Sequence, residues 1–318
     1  MEAETSVPMK ESNVQSSKLS RPKKSKWKQE AVAYAFISPY LIGFLAFTLG
    51  PMIASLYLSF TDYDLLSSPK WVGFDNYKKM FTADPRFLTS LKVTFQFAFI
   101  SIPLKLAAAL FVALLFAKNF RGVSLYRTVY YIPSILGGSV AVAIMWRQLF
   151  GKEGAINGFL SYFGIEGVSW IASPDYALYT LVLLGIWQFG SPMLIFLAGL
   201  KQIPNELYEA AVVDGAGKIS KFFNITIPML TPVIFFNLVM GIIGGFMTFT
   251  QSFLITKGGP LDRTLFYAVY LYEKGFTHFK MGYASAMAWV LVAIIAFFTA
   301  LVFKSSALWV YYESGEDK

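Results

Sequence analysis

The sequence predicts an all-α integral membrane protein with six transmembrane helices. Three observations lead there. First, 56% of the residues are hydrophobic, only 14% are charged, and the mean hydropathy is +0.53. A soluble domain is nearer half apolar and about a quarter charged. Second, long apolar stretches recur along the chain between polar loops. Each is close to the roughly 20 residues a helix needs to cross a bilayer. Third, basic residues gather before the first stretch and in the loop 118–127. That bias sets those segments on the cytoplasmic side.

Composition also sets classes aside. Cysteine is absent, so there is no disulfide framework and no thiolate chemistry. The net charge of +8 does not suggest nucleic acid, because the basic residues form no aromatic-interleaved groove.

In chain order, residues 1–29 read as a disordered, basic cytoplasmic tail, and 30–313 as the six-span domain. Residues 314–318 form a short cytoplasmic end. The first apolar run is too long for a signal peptide and lacks a small-residue cleavage site. Span 1 covers about 33–60, with Pro39, Gly50 and Pro51 inside it, so it should tilt, kink or protrude. The segment 62–88 is an external loop. Span 2 is about 93–117, and the loop after it carries Lys118, Arg121 and Arg127. Span 3 is about 129–149, broken by Pro133 and Gly137-Gly138. After an external loop, 151–175, span 4 is about 176–200. Span 5 is about 227–250, and 251–283 is external. Span 6 is about 284–303. Six spans put both termini in the cytoplasm, and the connection between spans 4 and 5 with them.

That connection, 203–228, is the most polar segment of the second half. Pro204 suits a helix start, and Glu206 and Glu209 suit the positive end of the helix dipole. Leu207, Ala210, Ala211 and Val213 make a small apolar stripe. Gly215 and Gly217 stop the helix by taking a left-handed conformation. A second short helix with Lys218 and Lys221 leads to Pro228. The expected object is a helix–Gly–helix elbow at the membrane surface.

The elbow carries a resemblance. Glu209-Ala210-Ala211, three residues, Gly215, nine residues, then Ile225-Thr226-Ile227-Pro228 resembles the EAA loop of binding-protein-dependent ABC importer permeases. Ile227 stands where that family usually has Leu. Four further runs resemble the family's sugar-uptake branch, the maltose- and glycerol-phosphate-type permeases. They are Gly73-Phe74-Asp75-Asn76-Tyr77, Phe253 to Pro260, Met281 to Ala288, and Trp309 to Glu313. The resemblance implies the type I ABC importer permease fold and a path for a carbohydrate, an oligosaccharide above all. It implies a location in a bacterial cytoplasmic membrane. It also implies partners: a second, similar permease in a heterodimer, a pair of cytoplasmic ATPase subunits holding ATP and Mg, and an extracytoplasmic binding protein docking on 62–88 and 251–283. The elbow would then be the coupling helix, with Glu209, Ala210, Ala211, Asp214, Gly215, Ile225 and Pro228 as its ATPase-coupling residues.

No catalytic constellation is present. Gly215-Ala216-Gly217-Lys218-Ile219 fails the phosphate-loop spacing, and Lys218 is followed by Ile. For the substrate path the candidates are Asn237, Phe246, Thr248 and Gln251 in and after span 5, Trp187 and Gln188 in span 4, and Lys105 in span 2. Polar groups at membrane depth face protein or a wet cavity, and aromatic faces beside hydrogen-bonding groups suit sugar rings. Helix packing is the competing reading, most of all for Gly241 and Gly245, a small-xxx-small pair. Lys105 costs at least ~2.5 kcal/mol at that depth, and no span holds an acidic residue to pair with it. Arg147 snorkels. The single histidine, His278, has no companions for a metal. Ion-coupled secondary transport is the alternative function, disfavoured because such proteins place carboxylates or histidines in their spans.

Overall fold

The computed structural model describes residues 26–118 and 120–311. The expected tail before Lys26, the end segment 314–318, and Tyr312 and Glu313 lie outside the described residues. The chain divides into two compact units at Ile53/Ala54. The first holds α1 (Lys26–Phe44), a π-helical turn (Leu45–Leu49) and the start of α2 (Gly50–Ser59). Pro39 lies within α1, and the helix continues through it.

The second unit begins with the end of α2, then β1 (Thr61–Asp62) and β2 (Lys70–Trp71), a two-residue antiparallel ribbon pairing Thr61 with Trp71. Next come α3 (Asp75–Thr82), α4 (Pro85–Ala117), α5 (Val123–Leu136), α6 (Val140–Leu149) and α7 (Ala155–Ser161). Then α8 (Ala177–Trp187), α9 (Gly190–Leu200), α10 (Asn205–Val213), α11 (Lys218–Lys221) and α12 (Ile227–Phe246) follow. The last two are α13 (Tyr267–Tyr272) and α14 (Met281–Trp309).

Four helical segments are long and apolar enough to cross a membrane: Glu30–Ser59, Pro85–Ala117, Lys218–Phe246 and Met281–Trp309. Two bent pairs complete the six, α5 with α6 and α8 with α9. The first pair turns by 99° and the second by 42°. The α5–α6 break falls at the expected Gly137-Gly138. Ser139 then restarts the helix, its Oγ accepting from the Val142 N–H at 3.3 Å. That is an ordinary N-cap for groups left without intrahelical partners.

Several boundaries differ from the sequence reading. Span 2 begins at Pro85, inside the expected loop, because Asp84 caps it through the Phe87 N–H (3.2 Å) and proline fits the first turn. Span 3 begins at Val123. The segment 251–283 is more than a loop, since α13 buries Tyr267 and Tyr270 almost completely. The expected second elbow helix is α11, a single turn holding Lys218 and Lys221. A π-helical turn, Phe222–Thr226, joins α11 to α12 without a break. The wider turn receives Pro228, whose ring would otherwise meet the carbonyl four residues back.

The centre of the second unit is α4, which packs on α8, α9 and α12. Phe97 meets Phe266 at 4.6 Å between ring centroids. Lower on α4, Ala109 and Ala113 receive Met193, Phe196 and Leu197 of α9. In lipid such packing replaces the hydrophobic effect as the force between helices. Gly241 and Gly245 turn toward Ile102 of α4, where a Cβ would stand 3.0 and 2.9 Å from its methyl carbons.

Asn76 explains the Gly73-to-Tyr77 run. It is 5% exposed, and its Nδ2 donates to the Ser59 carbonyl (3.0 Å) and the Thr61 carbonyl (2.9 Å). One side chain thereby ties α3 to the ribbon. Gly282 of α14 donates its N–H to the Tyr63 carbonyl (3.0 Å) beside the same ribbon.

Candidate functional site

The two broken spans meet at their breaks. Gln188 follows α8, where the helix ends, and its Nε2 donates to the Gly137 carbonyl at 3.0 Å. Ser134 of α5 donates to the Gln188 carbonyl (3.0 Å) and accepts from the Ser191 N–H (3.1 Å). Backbone groups freed by each break are thus satisfied from the other span. Inside a membrane that is required wherever a helix is interrupted.

A cavity of about 420 Å³ opens beside this joint. Its floor is α4 (Phe97, Ser101, Ile102, Lys105), its sides the α8–α9 break (Gln188, Ser191) and α12 with the turn beyond it (Phe236, Asn237, Met240, Thr248, Gln251). The volume lies in the range of small-molecule sites. Gln251 Nε2 reaches Gln188 Oε1 at 3.5 Å, the long limit of a hydrogen bond. Asn237 is 3% exposed, and its Nδ2 has no partner among the described residues.

Five of the seven path candidates therefore share one cavity: Lys105, Gln188, Asn237, Thr248 and Gln251. Two lie elsewhere. Trp187 turns to Trp146 of α6, at 6.1 Å between centroids. Phe246, 2% exposed, packs between Phe95 (5.0 Å) and Phe298 (5.6 Å). Phe246 is a core aromatic and Trp187 is half-buried against the same core, because their faces of α8 and α12 point to neighbouring helices. Ser101 and Ser191 were missed. Ser101 stands one helical turn from Lys105, and that i, i+4 spacing is a readable signal.

The elbow lies at the other end of span 4. In α10 no side chain is buried. Val212, Val213 and Ile219 are 58%, 87% and 77% exposed. Pro204 sits one position earlier than expected, at the N-cap. The helix ends in a Schellman motif: the Ala216 N–H donates to the Ala211 carbonyl (2.8 Å) and the Gly215 N–H to the Val212 carbonyl (3.0 Å). Gly215 has φ +76°, the left-handed state glycine takes without a Cβ penalty. Gly217 does not: its φ is −72° and it N-caps α11 in an extended conformation. Glu209, Ala210 and Asp214 are exposed, and Ala211 is half-buried. Ile225 and Pro228 are half-buried where α12 begins. Tyr208 and Thr226 share a hydrogen bond of 2.9 Å, tying α10 to the start of α12.

At the end of the bundle carrying the ribbon, Asp84 gathers a polar knot. It accepts from Tyr270 (2.7 Å) and Tyr283 (2.8 Å) and pairs with Lys274 at 3.2 Å. Burial alone would raise its pKa. The tyrosine hydroxyls, the Phe87 N–H and Lys274 outweigh that and hold the carboxyl below its ordinary value. Arg86 pairs with Asp262 (2.9 Å) and Glu273 (3.3 Å). His278 is exposed and its Nδ1 meets the Glu273 carbonyl at 3.0 Å. Arg147 is exposed near the end of α6. Among the described residues no group of three metal-ligating side chains occurs.

Comparison with known proteins points in one direction. Residues 86–307 match the family described as "Binding-protein-dependent transport system inner membrane component". The probable ABC transporter permease protein YesP of Bacillus subtilis (strain 168) is 56% identical over 293 residues, covering 91% of this chain and 95% of that protein. The arabinooligosaccharides transport system permease protein AraP of the same organism is 33% identical over 300 residues, covering 90% and 94%. Among solved structures, a bacterial alginate ABC transporter in complex with alginate pentasaccharide-bound periplasmic protein aligns with a TM-score of 0.77. It is 22% identical and covers 88% of this chain and 96% of that one, a likeness of fold.

Proposed function

The chain belongs to the inner membrane components of binding-protein-dependent transport systems, and we propose that it forms part of the translocation path of an importer for a carbohydrate, an oligosaccharide above all. It is a multi-pass permease of the inner membrane, and its family is one of transport subunits. That membership sets aside ion-coupled secondary transport.

The observation that carries the reading is the elbow. A helix with no buried side chain, closed by Gly215 and tethered through Tyr208 to α12, is built to be covered by another protein. Its partner here is a cytoplasmic ATPase subunit, present as a pair, which holds the ATP and Mg. Glu209, Ala210, Ala211, Asp214 and Gly215 form the contact, with Ile225 and Pro228 passing its movement into α12. Both termini then face the cytoplasm. A second, similar permease completes the path as a heterodimer. An extracytoplasmic binding protein docks at the end carrying the ribbon and α13.

The carbohydrate cargo draws support from AraP, named for arabinooligosaccharides, and from the cavity. Amide and hydroxyl groups lie there beside Phe97 and Phe236, matching the hydroxyl edges and apolar faces of a sugar ring. Mild-detergent purification from the native host tests the assembly. We expect an ATPase and a second six-span permease to co-purify, and the accompanying binding protein to bind sugars. Recovery of the chain alone, with flux driven by an ion gradient after reconstitution, overturns the reading.

A further inference from the structure

We infer that the cavity between α4, the α8–α9 break and α12 takes a carbohydrate bearing a carboxylate, with Lys105 as its counter-charge. The inference rests on the permease reading above and names the chemical class of its cargo.

Among the described residues, Lys105 is the only charged one lining the cavity. The ion pairs among the described residues all lie at the far end of the bundle, between residues 84–86 and 262–274. Among the described residues, no carboxylate pairs with Lys105. Lys105 is half-buried and faces the cavity. A cation at membrane depth is costly without a counter-charge, and an anionic cargo in the cavity supplies one.

One lysine balances one negative charge. A carboxylate carries one, and so does a sulfonate, which the test below separates from it. A phosphate monoester near pH 7 carries about −1.5 to −2 and would leave net negative charge in the cavity. Lysine also suits a passing cargo. It is a point charge on a flexible stem with rotatable donors, whereas arginine holds carboxylates in a fixed fork. The remaining polar lining, Ser101, Gln188, Ser191, Thr248 and Gln251, is neutral and fits sugar hydroxyls.

The test uses the whole complex with its native partners in proteoliposomes and its binding protein outside. The probes are uronic-acid di- and trisaccharides, the same sugars after carboxyl reduction to neutral form, sulfonated sugars, and sugar phosphates. We expect uptake of a uronate oligosaccharide, and a fall of about tenfold or more for it in Lys105→Gln. Lys105→Arg should retain most of the uptake, and any neutral sugar the complex carries should be unaffected by either change. Co-purification of the partners shows that each variant assembles. Unchanged uronate uptake in Lys105→Gln overturns the inference. So does equal loss in the Gln and Arg variants, or equal loss of a neutral sugar, since either marks a packing role. Uptake of neutral sugars, sulfonated sugars or sugar phosphates without any uronate also overturns it while leaving the permease reading intact. No sugar uptake by the wild-type complex overturns both.

Discussion

The side-chain amide of Gln188 donates to the carbonyl of Gly137 at 3.0 Å, joining the breaks of two spans 51 residues apart. A Cβ on Gly137 would run into the Gln188 side chain. The bond and the missing side chain are one arrangement. The glycine lets the glutamine in, and the glutamine satisfies the carbonyl that the broken helix frees.

Gln188→Leu leaves the Gly137 carbonyl unpaired, at a cost of about 1–3 kcal/mol. We expect a lower thermal midpoint for the purified complex, followed by tryptophan fluorescence. Gly137→Ala should act in the same direction by displacing Gln188, and the double variant should cost less than the sum of the two. Additive effects would mean the two residues do not act as a pair.

Gly215 invites a graded test. Its positive φ is costly for most residues by about 1–2 kcal/mol, while Asn tolerates it. A Cβ there meets nothing within 4 Å, so only backbone conformation and an external partner are at stake. We expect Gly215→Val to keep the protein in the membrane yet cut uptake about tenfold or more, and Gly215→Asn to be milder. Full uptake by the Val variant would remove the coupling role.

Asp84 carries a pH dependence. Its folded pKa lies below the ordinary 3.8, so its stabilising contribution is complete above the unfolded value and is lost as pH falls through the folded one. Asp84→Asn keeps a helix cap but leaves Lys274 unpaired. We expect it to lower the thermal midpoint at neutral pH, with the gap to wild type closing below about pH 4. Asp84→Ala also removes the cap, worth about 1 kcal/mol more. A gap that persists in acid would show that charge is not the cause.

Gly282 marks a contact between backbones. A Cβ there would overlap the Thr61 carbonyl, and neither partner can rotate away. Gly282→Ala should therefore destabilise by about 1–3 kcal/mol, read as reduced membrane level and a lower thermal midpoint. Gly244→Ala, where a Cβ meets nothing within 4 Å, is the matched control and should be near wild type.

The sequence alone determined what depends on neighbours along the chain. Span number, the break at Gly137-Gly138, and the Gly-closed elbow were all legible, because hydropathy over about 20 residues and glycine chemistry are local. The lack of any acidic residue in the spans also isolated Lys105 before any geometry was known. Tertiary structure decided what depends on which face a helix presents. Trp187 and Phe246 looked as fit for the path as Gln188 and Asn237. A shift of one position along a helix turns a side chain by about 100°, enough to send Trp187 to Trp146 while Gln188 meets Gly137. The same holds for α13, whose buried Tyr267 and Tyr270 sit in a stretch too short to read as a span. Residues far apart in sequence form the cavity and the Asp84 knot, and no local pattern records which of them will meet.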